Sequence, residues 1–253
     1  LWDHKVNDQA IFPGAGFLEM SVASAGLHVR DDSSGASLIG LAACSISRPR
    51  VLRVDEPNTL QCRLDWLSGQ CTVSSLSDVP SPSSLHMSAS VCFSGASRPG
   101  ADVGGPAAAD GTAVHGKVHL CEELIDYHMH PSVLDGVLQL GAASTMNCDE
   151  SFSNVRVPAS VGYYGVDATG VRGRGAPAAG FSCASHEPVG RDMLHDYSLS
   201  IDSRSMPVRL SQMLAKCFGG GKKSPSSEVA MKVPLLYEST WESVSDSTGL
   251  VGF

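Results

Sequence analysis

A proline-led helical stretch followed by strand-like segments occurs twice along this chain. After Pro13 and two glycines, apolar residues recur every three to four positions, which predicts a buried helix over about residues 15–28. A second such run begins at Pro131 and extends to Leu140. Segments that alternate apolar and polar residues, typical of half-buried antiparallel strands, follow each helix. The pattern predicts an α+β fold with two similar halves, although the halves share no visible sequence identity.

The predicted strands fall into two groups, one behind each helix. The first group comprises 38–41, 51–54, 60–66, 71–73 and 85–91, and the second comprises 155–161, 163–166, 197–201 and 208–218. Between them lies a stretch rich in Gly, Ala, Pro and Ser, which is typical of a linker. We therefore expect a first half over 1–95, a linker over 96–113, a second half over 114–245 and an exit linker over 246–253.

The charge balance argues against nucleic-acid binding. The sequence has 18 basic and 26 acidic residues, a net charge of -8, and its one basic cluster is three arginines between positions 48 and 53. Binding of DNA or RNA usually needs a larger clustered basic surface. Hydrophobic residues make up 42% of the chain, enough for a core. No apolar run reaches the roughly 20 residues of a membrane helix, so we also expect no membrane span.

The eight cysteines indicate neither a metal site nor a disulfide framework. None forms a Cys-x-x-Cys pair, and none lies beside a histidine at zinc-finger spacing. An even count permits disulfides, but wide spacing in a chain with its own core favours reduced, buried thiols of an intracellular protein. The sequence opens on Leu1 rather than Met, so we expect it to be a piece of a longer polypeptide.

Two segments resemble the dehydratase domains of modular polyketide synthases and of animal fatty acid synthase. The first segment contains His4 and Pro13-Gly14-Ala15-Gly16, and the second contains His130, Asp135 and Gln139. Family motifs read His-x-x-x-Gly-x-x-x-x-Pro and His-Pro-x-x-x-Asp-x-x-x-Gln. Segments 85–89, 157–161 and 236–242 extend the resemblance over most of the chain. The resemblance implies a double hot dog fold, in which each of two helices is wrapped by an antiparallel sheet.

The resemblance also implies a lyase that removes water from a β-hydroxyacyl thioester to give the trans-2-enoyl thioester. His4 is expected to take the α-proton, because its ordinary pKa of about 6.5 leaves it largely neutral. Asp135 is expected to protonate the departing hydroxyl if burial raises its pKa. The backbone N–H groups from Gly14 to Gly16 are expected to stabilise charge on the thioester oxygen. Gln139, one turn after Asp135, is expected to orient the carboxyl group of Asp135.

The expected substrate-binding residues are therefore Pro13, Gly14, Ala15, Gly16 and Gln139. Elimination of water needs neither a metal nor an organic cofactor, and the substrate is expected on the phosphopantetheine arm of an acyl carrier protein. The resemblance implies this carrier and the neighbouring synthase domains as partners and leaves a homodimer open. It implies a cytoplasmic location, with the plastid as the alternative.

Two other interpretations stay open at this point. Relatives with the same fold that migrate double bonds, or that act as product templates, also keep a histidine and an aspartate. Asp8 stands where the family motif has glycine, and the Tyr-Gly-Pro-x-Phe-Gln segment of many members is not visible. A non-catalytic scaffold is therefore the third hypothesis. His130 is expected to be structural because it precedes a proline, and the other histidines are expected to be structural or exposed.

Overall fold

The computed structural model describes residues 4–6, 9–31, 36–55, 58–76, 84–95, 113–118, 127–144, 156–167, 179–185, 192–201, 205–217 and 239–240. The helices are α1 (Gly14–Asp31) and α2 (Pro131–Ser144). The strands are β1 (Lys5–Val6), β2 (Gln9–Ala10), β3 (Ala36–Ile46), β4 (Leu60–Asp65), β5 (Gln70–Ser75), β6 (Ser84–Gly95), β7 (Ala113–Val118), β8 (Arg156–Asp167), β9 (Ala179–Ser185), β10 (Met193–Ile201), β11 (Ser205–Cys217) and β12 (Ser239–Thr240).

Ten of these strands form one antiparallel sheet in the order β12-β7-β9-β10-β11-β8-β3-β6-β5-β4. The strands from the first part of the chain meet those from the second where β3 pairs with β8, with Leu41 opposite Tyr164. Helix α1 packs against β3, β4 and β5, whereas α2 packs against β7, β9 and β10, and the two helices touch. This arrangement confirms the predicted double hot dog.

One hydrophobic core runs through both parts of the sheet. Its fully or nearly fully buried members include Phe17, Leu18 and Val22 of α1, Val133, Leu134 and Val137 of α2, and Tyr164 of β8. The helical members recur at the predicted spacing of three to four residues. Each such side chain contributes about 1.5–3 kcal/mol when buried, so the shared core holds the two helices against a single sheet. Neither helix is long and apolar enough to cross a membrane.

Helix α2 begins at the predicted proline and is capped by the histidine before it. Pro131 is the first helical residue, a position whose N–H would have no partner within the helix. The ring Nδ1 of His130 accepts the N–H of Ser132 at 3.2 Å. Its carbonyl accepts the N–H groups of Val133 and Leu134 at 3.0 and 3.1 Å. This capping is the structural role predicted for His130.

The predicted strand over 51–54 was wrong. Val51 forms a single bridge to Ile11, and a turn begins at Val54. Pro49 and Pro57 flank the segment, and proline cannot donate to a strand ladder. The segment is therefore limited to a short pairing with the residues that precede α1.

The two predicted strands 155–161 and 163–166 form one strand, β8, that continues through Gly162. A side chain at Gly162 would lie 2.6 Å from Oε1 of Gln212, a β11 residue with a φ of 54°. The glycine therefore makes room for Gln212 rather than ending the strand. The hairpin β1–β2 and strands β7 and β9 were not predicted. Asp8, residues 96–112 of the predicted linker and the exit linker lie outside the described residues.

The prediction of buried cysteines was only partly right. Cys44, Cys71 and Cys183 are buried free thiols. Cys62 is half-buried because it lies on β4, the last strand of the sheet, and Cys92 is exposed.

Alanine at Gly16 is expected to destabilise the protein, although alanine favours a helix by about 0.5–1 kcal/mol over glycine. A Cβ there would lie 2.5 Å from Cε1 of Phe12, whose ring packs 4.9 Å from that of Phe17 and cannot easily withdraw. Overpacking of this kind costs about 1–3 kcal/mol, so we expect a lower urea midpoint. The variant that combines Gly16→Ala with Phe12→Leu should recover part of the loss. A Gly16→Ala protein more stable than the wild type would contradict this packing.

Candidate active site

A short hairpin ahead of α1 holds the imidazole of His4. Strands β1 and β2 pair Lys5 with Ala10, and the N–H of Ile11 donates to the carbonyl of His4 at 3.0 Å. The carbonyl of Ile11 lies 3.0 Å from Nδ1 of His4. A carbonyl can only accept, so Nδ1 carries the proton, and Nε2 of the neutral ring is left with a free lone pair. The hairpin thus fixes both the orientation and the tautomer of His4.

The segment that follows β3 anchors this hairpin from the other side. The N–H of Phe12 donates to the carbonyl of Arg50, and that of Leu52 donates to the carbonyl of Ala10, both at 2.8 Å. These bonds join the residues after β2 to the 50–52 segment. His4 is therefore supported by backbone hydrogen bonds and does not depend on its own side-chain packing alone.

Helix α2 places Asp135 directly against His4. Nε2 of His4 lies 3.5 Å from Oδ1 of Asp135. The other oxygen, Oδ2, accepts a hydrogen bond from Nε2 of Gln139, one helical turn further along, at 3.3 Å. Both reactive side chains are mostly buried, with 26% of His4 and 20% of Asp135 exposed. The structure thus brings together the histidine of one predicted motif and the aspartate of the other.

The pKa of His4 lies above its ordinary value. Burial by itself lowers this pKa, because it disfavours the charged ring. The hydrogen bond and the negative charge of Asp135 act in the opposite sense, helped by the carbonyl of Ile11, and they outweigh burial. His4 is therefore a stronger base in the folded protein than a free imidazole.

Replacing Asp135 with asparagine is expected to lower the pKa of His4. The substitution removes the charge that raises this pKa and leaves burial, which lowers it. A proton NMR titration of the ring should show the midpoint moving to lower pH. Asp65→Asn, on the exposed part of β4, is the matched control and should leave the midpoint unchanged. An unmoved midpoint in Asp135→Asn would mean that the two side chains do not interact in solution.

The glycine-rich start of α1 differs in part from the prediction. The N–H of Gly16, a predicted donor to a substrate oxygen, donates to the carbonyl of Pro13 at 2.9 Å. Gly16 instead makes room for a phenylalanine ring. Ala15 is fully buried, whereas Gly14 is half-buried, with Ile46 Cδ1 3.2 Å from the position of a Cβ. Of the predicted donors, Gly14 is thus the more accessible.

Glu19 of α1 was not predicted and ties the two halves together. Its Oε1 accepts the N–H of His128 at 2.7 Å, and its Oε2 accepts the N–H of Met129 at 3.0 Å. The Nδ1 atom of His128 lies 3.7 Å from the same carboxylate, and both side chains are about 95% buried. The sequence did contain a signal for this role of Glu19: it is an acidic residue on the apolar face of a predicted helix, and a buried charge needs partners. The bonds fix the segment that leads into α2 and hence Asp135.

An apolar cavity lies behind α2, lined by residues that include Leu134, Val137 and Leu210. Its volume of about 10 Å³ holds no more than one water molecule. The cavity flanks the helix turn that carries Asp135, but an acyl chain needs more space than it offers.

The paired side chains can act as a base and an acid on one small molecule. Nε2 of His4 and Oδ1 of Asp135 face each other, so groups on two adjacent carbons could contact both at once. Such a pair suits removal of a proton from one carbon and of a leaving group from the next.

Family models for one kind of domain match both parts of the chain. A model described as a polyketide synthase dehydratase domain matches residues 1–78. A model described as a polyketide synthase dehydratase N-terminal domain matches residues 106–172. Together the two matches take in more than half of the 253 residues. A search of curated proteins finds no match to the sequence.

Solved structures of dehydratases share the fold. GphF Dehydratase 1 is 20% identical with a TM-score of 0.68, over 85% of this chain and 88% of that one. The dehydratase domain from the CurJ module of the curacin polyketide synthase is 14% identical with a TM-score of 0.68, over 85% of each chain. An inactive CurK dehydratase mutant with asparagine in place of an aspartate is 14% identical with a TM-score of 0.65, over 84% of this chain and 86% of that one.

Proposed function

We propose, from the premise that this chain belongs to the polyketide synthase dehydratase family, that it removes water from a β-hydroxyacyl thioester. Membership implies lyase chemistry in general, and the specific reaction is our proposal. The observation that carries it is the 3.5 Å approach of His4 Nε2 to Asp135 Oδ1. The product would be the trans-2-enoyl thioester.

In the proposed reaction His4 is the base. Its Nε2 takes the proton from the α-carbon, and the electrons of that C–H bond form the new carbon–carbon double bond. The imidazolium that results is stabilised by the Nδ1–H bond to the Ile11 carbonyl and by the carboxylate of Asp135. The Nδ1–H bond to the Ile11 carbonyl supports this role, because it leaves the lone pair of Nε2 on the side of Asp135.

Asp135 is the acid in the same reaction. Its Oδ1–H gives a proton to the β-hydroxyl as the C–O bond breaks, and water leaves. Gln139 holds Oδ2, so that Oδ1 is the oxygen presented to the substrate. After release, the imidazolium of His4 and the carboxylate of Asp135 stand close enough to pass the proton back. The pair is then ready for another turnover without an outside proton donor.

Charge that develops on the thioester oxygen needs a hydrogen-bond donor. We assign that role to the N–H of Gly14 at the beginning of α1, where the helix dipole also favours negative charge. Pro13 and Ala15 are buried beside it and would position this N–H rather than touch the substrate.

The substrate is proposed to arrive on the phosphopantetheine arm of an acyl carrier protein within a multidomain synthase in the cytoplasm. No metal or organic cofactor takes part in the proposed steps, so a chelator is expected to leave the rate unchanged.

Two mutants of one similar protein support the assignment of His4 and Asp135. Inactive mutants of CurK dehydratase carry phenylalanine in place of a histidine in one case and asparagine in place of an aspartate in the other. CurK dehydratase is thus inactive when either one histidine or one aspartate is replaced, which agrees with a histidine–aspartate pair at the centre of the present site.

The experiment is to incubate the protein with a β-hydroxyacyl thioester and to follow the mass and proton NMR spectrum of the product. Loss of one water together with a double bond between the α- and β-carbons is the expected result. An unchanged substrate, with both carrier-bound and small-molecule thioesters, would overturn the proposal and favour a scaffold role.

Double-bond migration is a second candidate, because a variant of the similar GphF dehydratase is described as isomerase-inactive. A base and an acid in contact could also move a proton between the α- and γ-carbons. The same NMR spectrum distinguishes the two, since migration shifts the double bond without loss of water.

A further inference from the structure

Two cysteines on the β4–β5 ribbon lie close enough to react with each other. The strands pair Cys62 with Val73 and Leu64 with Cys71. The cysteines are therefore diagonal neighbours, offset by two residues, and share one face of the sheet. Their Sγ atoms are 3.6 Å apart. Both side chains face α1, where Cys62 hydrogen-bonds with Ser24.

The two thiols differ in access. Cys71 is fully buried, whereas Cys62 is half-buried on the last strand of the described sheet. The hydrogen bond with Cys71 lowers the pKa of Cys62, helped by the hydroxyl of Ser24. The thiolate is the nucleophilic form of cysteine, so Cys62 is both the more accessible and the more reactive of the two.

We propose that Cys62 and Cys71 are an oxidation site that closes to a reversible intrachain disulfide when the protein meets a hydroperoxide. The Cys62 thiolate attacks the peroxide oxygen, the O–O bond breaks, and Cys62 becomes a sulfenic acid as one hydroxide leaves and is protonated to water. Sγ of Cys71 then attacks the Cys62 sulfur, the S–O bond breaks, and a second water leaves. Overall, two thiols are oxidised, and one hydroperoxide is reduced.

The second step requires β4 to move toward β5. The Sγ atoms must approach from 3.6 Å to about 2.05 Å, the length of a disulfide bond. The movement falls on the end strand β4, which pairs with β5 and has no further strand beside it in the described sheet. The cross-link would fasten β4 to β5 beneath α1. It does not depend on the proposed dehydratase activity.

In a Cys92→Ser protein, digestion with trypsin can show which two cysteines form the disulfide. Trypsin cuts after Arg53 and Arg63, so Cys62 leaves on peptide 54–63. Cys71 and Cys92 stay together on peptide 64–117, because Pro99 follows Arg98 and blocks cleavage there. With Cys92 removed, a disulfide between the two peptides can only join Cys62 to Cys71.

The test treats folded Cys92→Ser protein with hydrogen peroxide, blocks free thiols with an alkylating agent and digests it without reductant. The expected result is the 54–63 peptide linked to the 64–117 peptide, with release of both on adding dithiothreitol. Cys62→Ser should abolish the link. Cys71→Ser should instead leave a Cys62 sulfenic acid that dimedone labels.

Cys44 provides the internal control for non-specific oxidation, because burial raises its pKa to about 12 and it should stay reduced under the same treatment. Oxidation of Cys62 no faster than that of Cys44 would overturn the proposal. So would a folded wild-type protein, checked by circular dichroism, in which peptide 54–63 is recovered only in the alkylated form.

Discussion

Replacing His4 with alanine is expected to lower kcat by about 10²- to 10⁴-fold, the usual contribution of a general base. The hairpin is held by backbone bonds from Ile11 to His4, which the substitution retains. The fold should therefore survive, and the loss should appear in kcat measured as the rate of enoyl formation. In the wild type, kcat/KM should fall at low pH, where His4 is protonated and cannot accept the α-proton.

Lys5→Ala is the matched control for that experiment. Lys5 is the next residue on the same hairpin, is exposed, and has no role in the proposed reaction. Its removal should change kcat by less than about threefold, which corresponds to a surface substitution. A rate for His4→Ala equal to that of Lys5→Ala would show that His4 is not the base.

Replacing Glu19 with alanine is expected to lower the free energy of unfolding by about 2–6 kcal/mol, the cost of leaving two buried N–H groups unpaired. The substitution leaves the N–H groups of His128 and Met129 without their acceptor in a buried place. Each buried N–H group left without a hydrogen-bond acceptor costs about 1–3 kcal/mol. Urea unfolding followed by circular dichroism measures the loss.

Two variants on the same helix serve as controls for the Glu19→Ala measurement. Leu27→Ala, at a side chain that is 64% exposed, should stay within about 0.5 kcal/mol of the wild type. Glu19→Gln keeps the shape and one acceptor oxygen, so it should lose less than Glu19→Ala. Equal stability of Glu19→Ala and Leu27→Ala would mean that this carboxylate does not hold the segment before α2.

The helices and the pairing of motifs could be predicted from the sequence because their signals are local or periodic. Pro131 at the first position of α2 and apolar residues at helical spacing are read directly from neighbours in the chain. His4 and Asp135 were singled out by the resemblance of their segments to the dehydratase family, which needs no knowledge of how the chain folds.

The contacts that complete the site depend on tertiary structure and were not predictable in this way. Gly16 was expected to offer its N–H to a substrate, but a turn that bonds it to Pro13 uses that group. The carbonyl of Ile11 selects the tautomer of His4 only because the hairpin folds back. Glu19 meets the backbone of His128 across more than a hundred residues of sequence. No local pattern records such a pairing.

The most direct test of the account is a double-mutant cycle on water elimination from one β-hydroxyacyl thioester. It compares the wild type, His4→Ala, Asp135→Asn and the protein with both changes. If the two side chains act as one unit, each single change should remove nearly all activity, and the double variant should be within a few-fold of either. Multiplicative losses, or a wild-type rate in either single variant, would contradict a reaction carried by the His4–Asp135 pair.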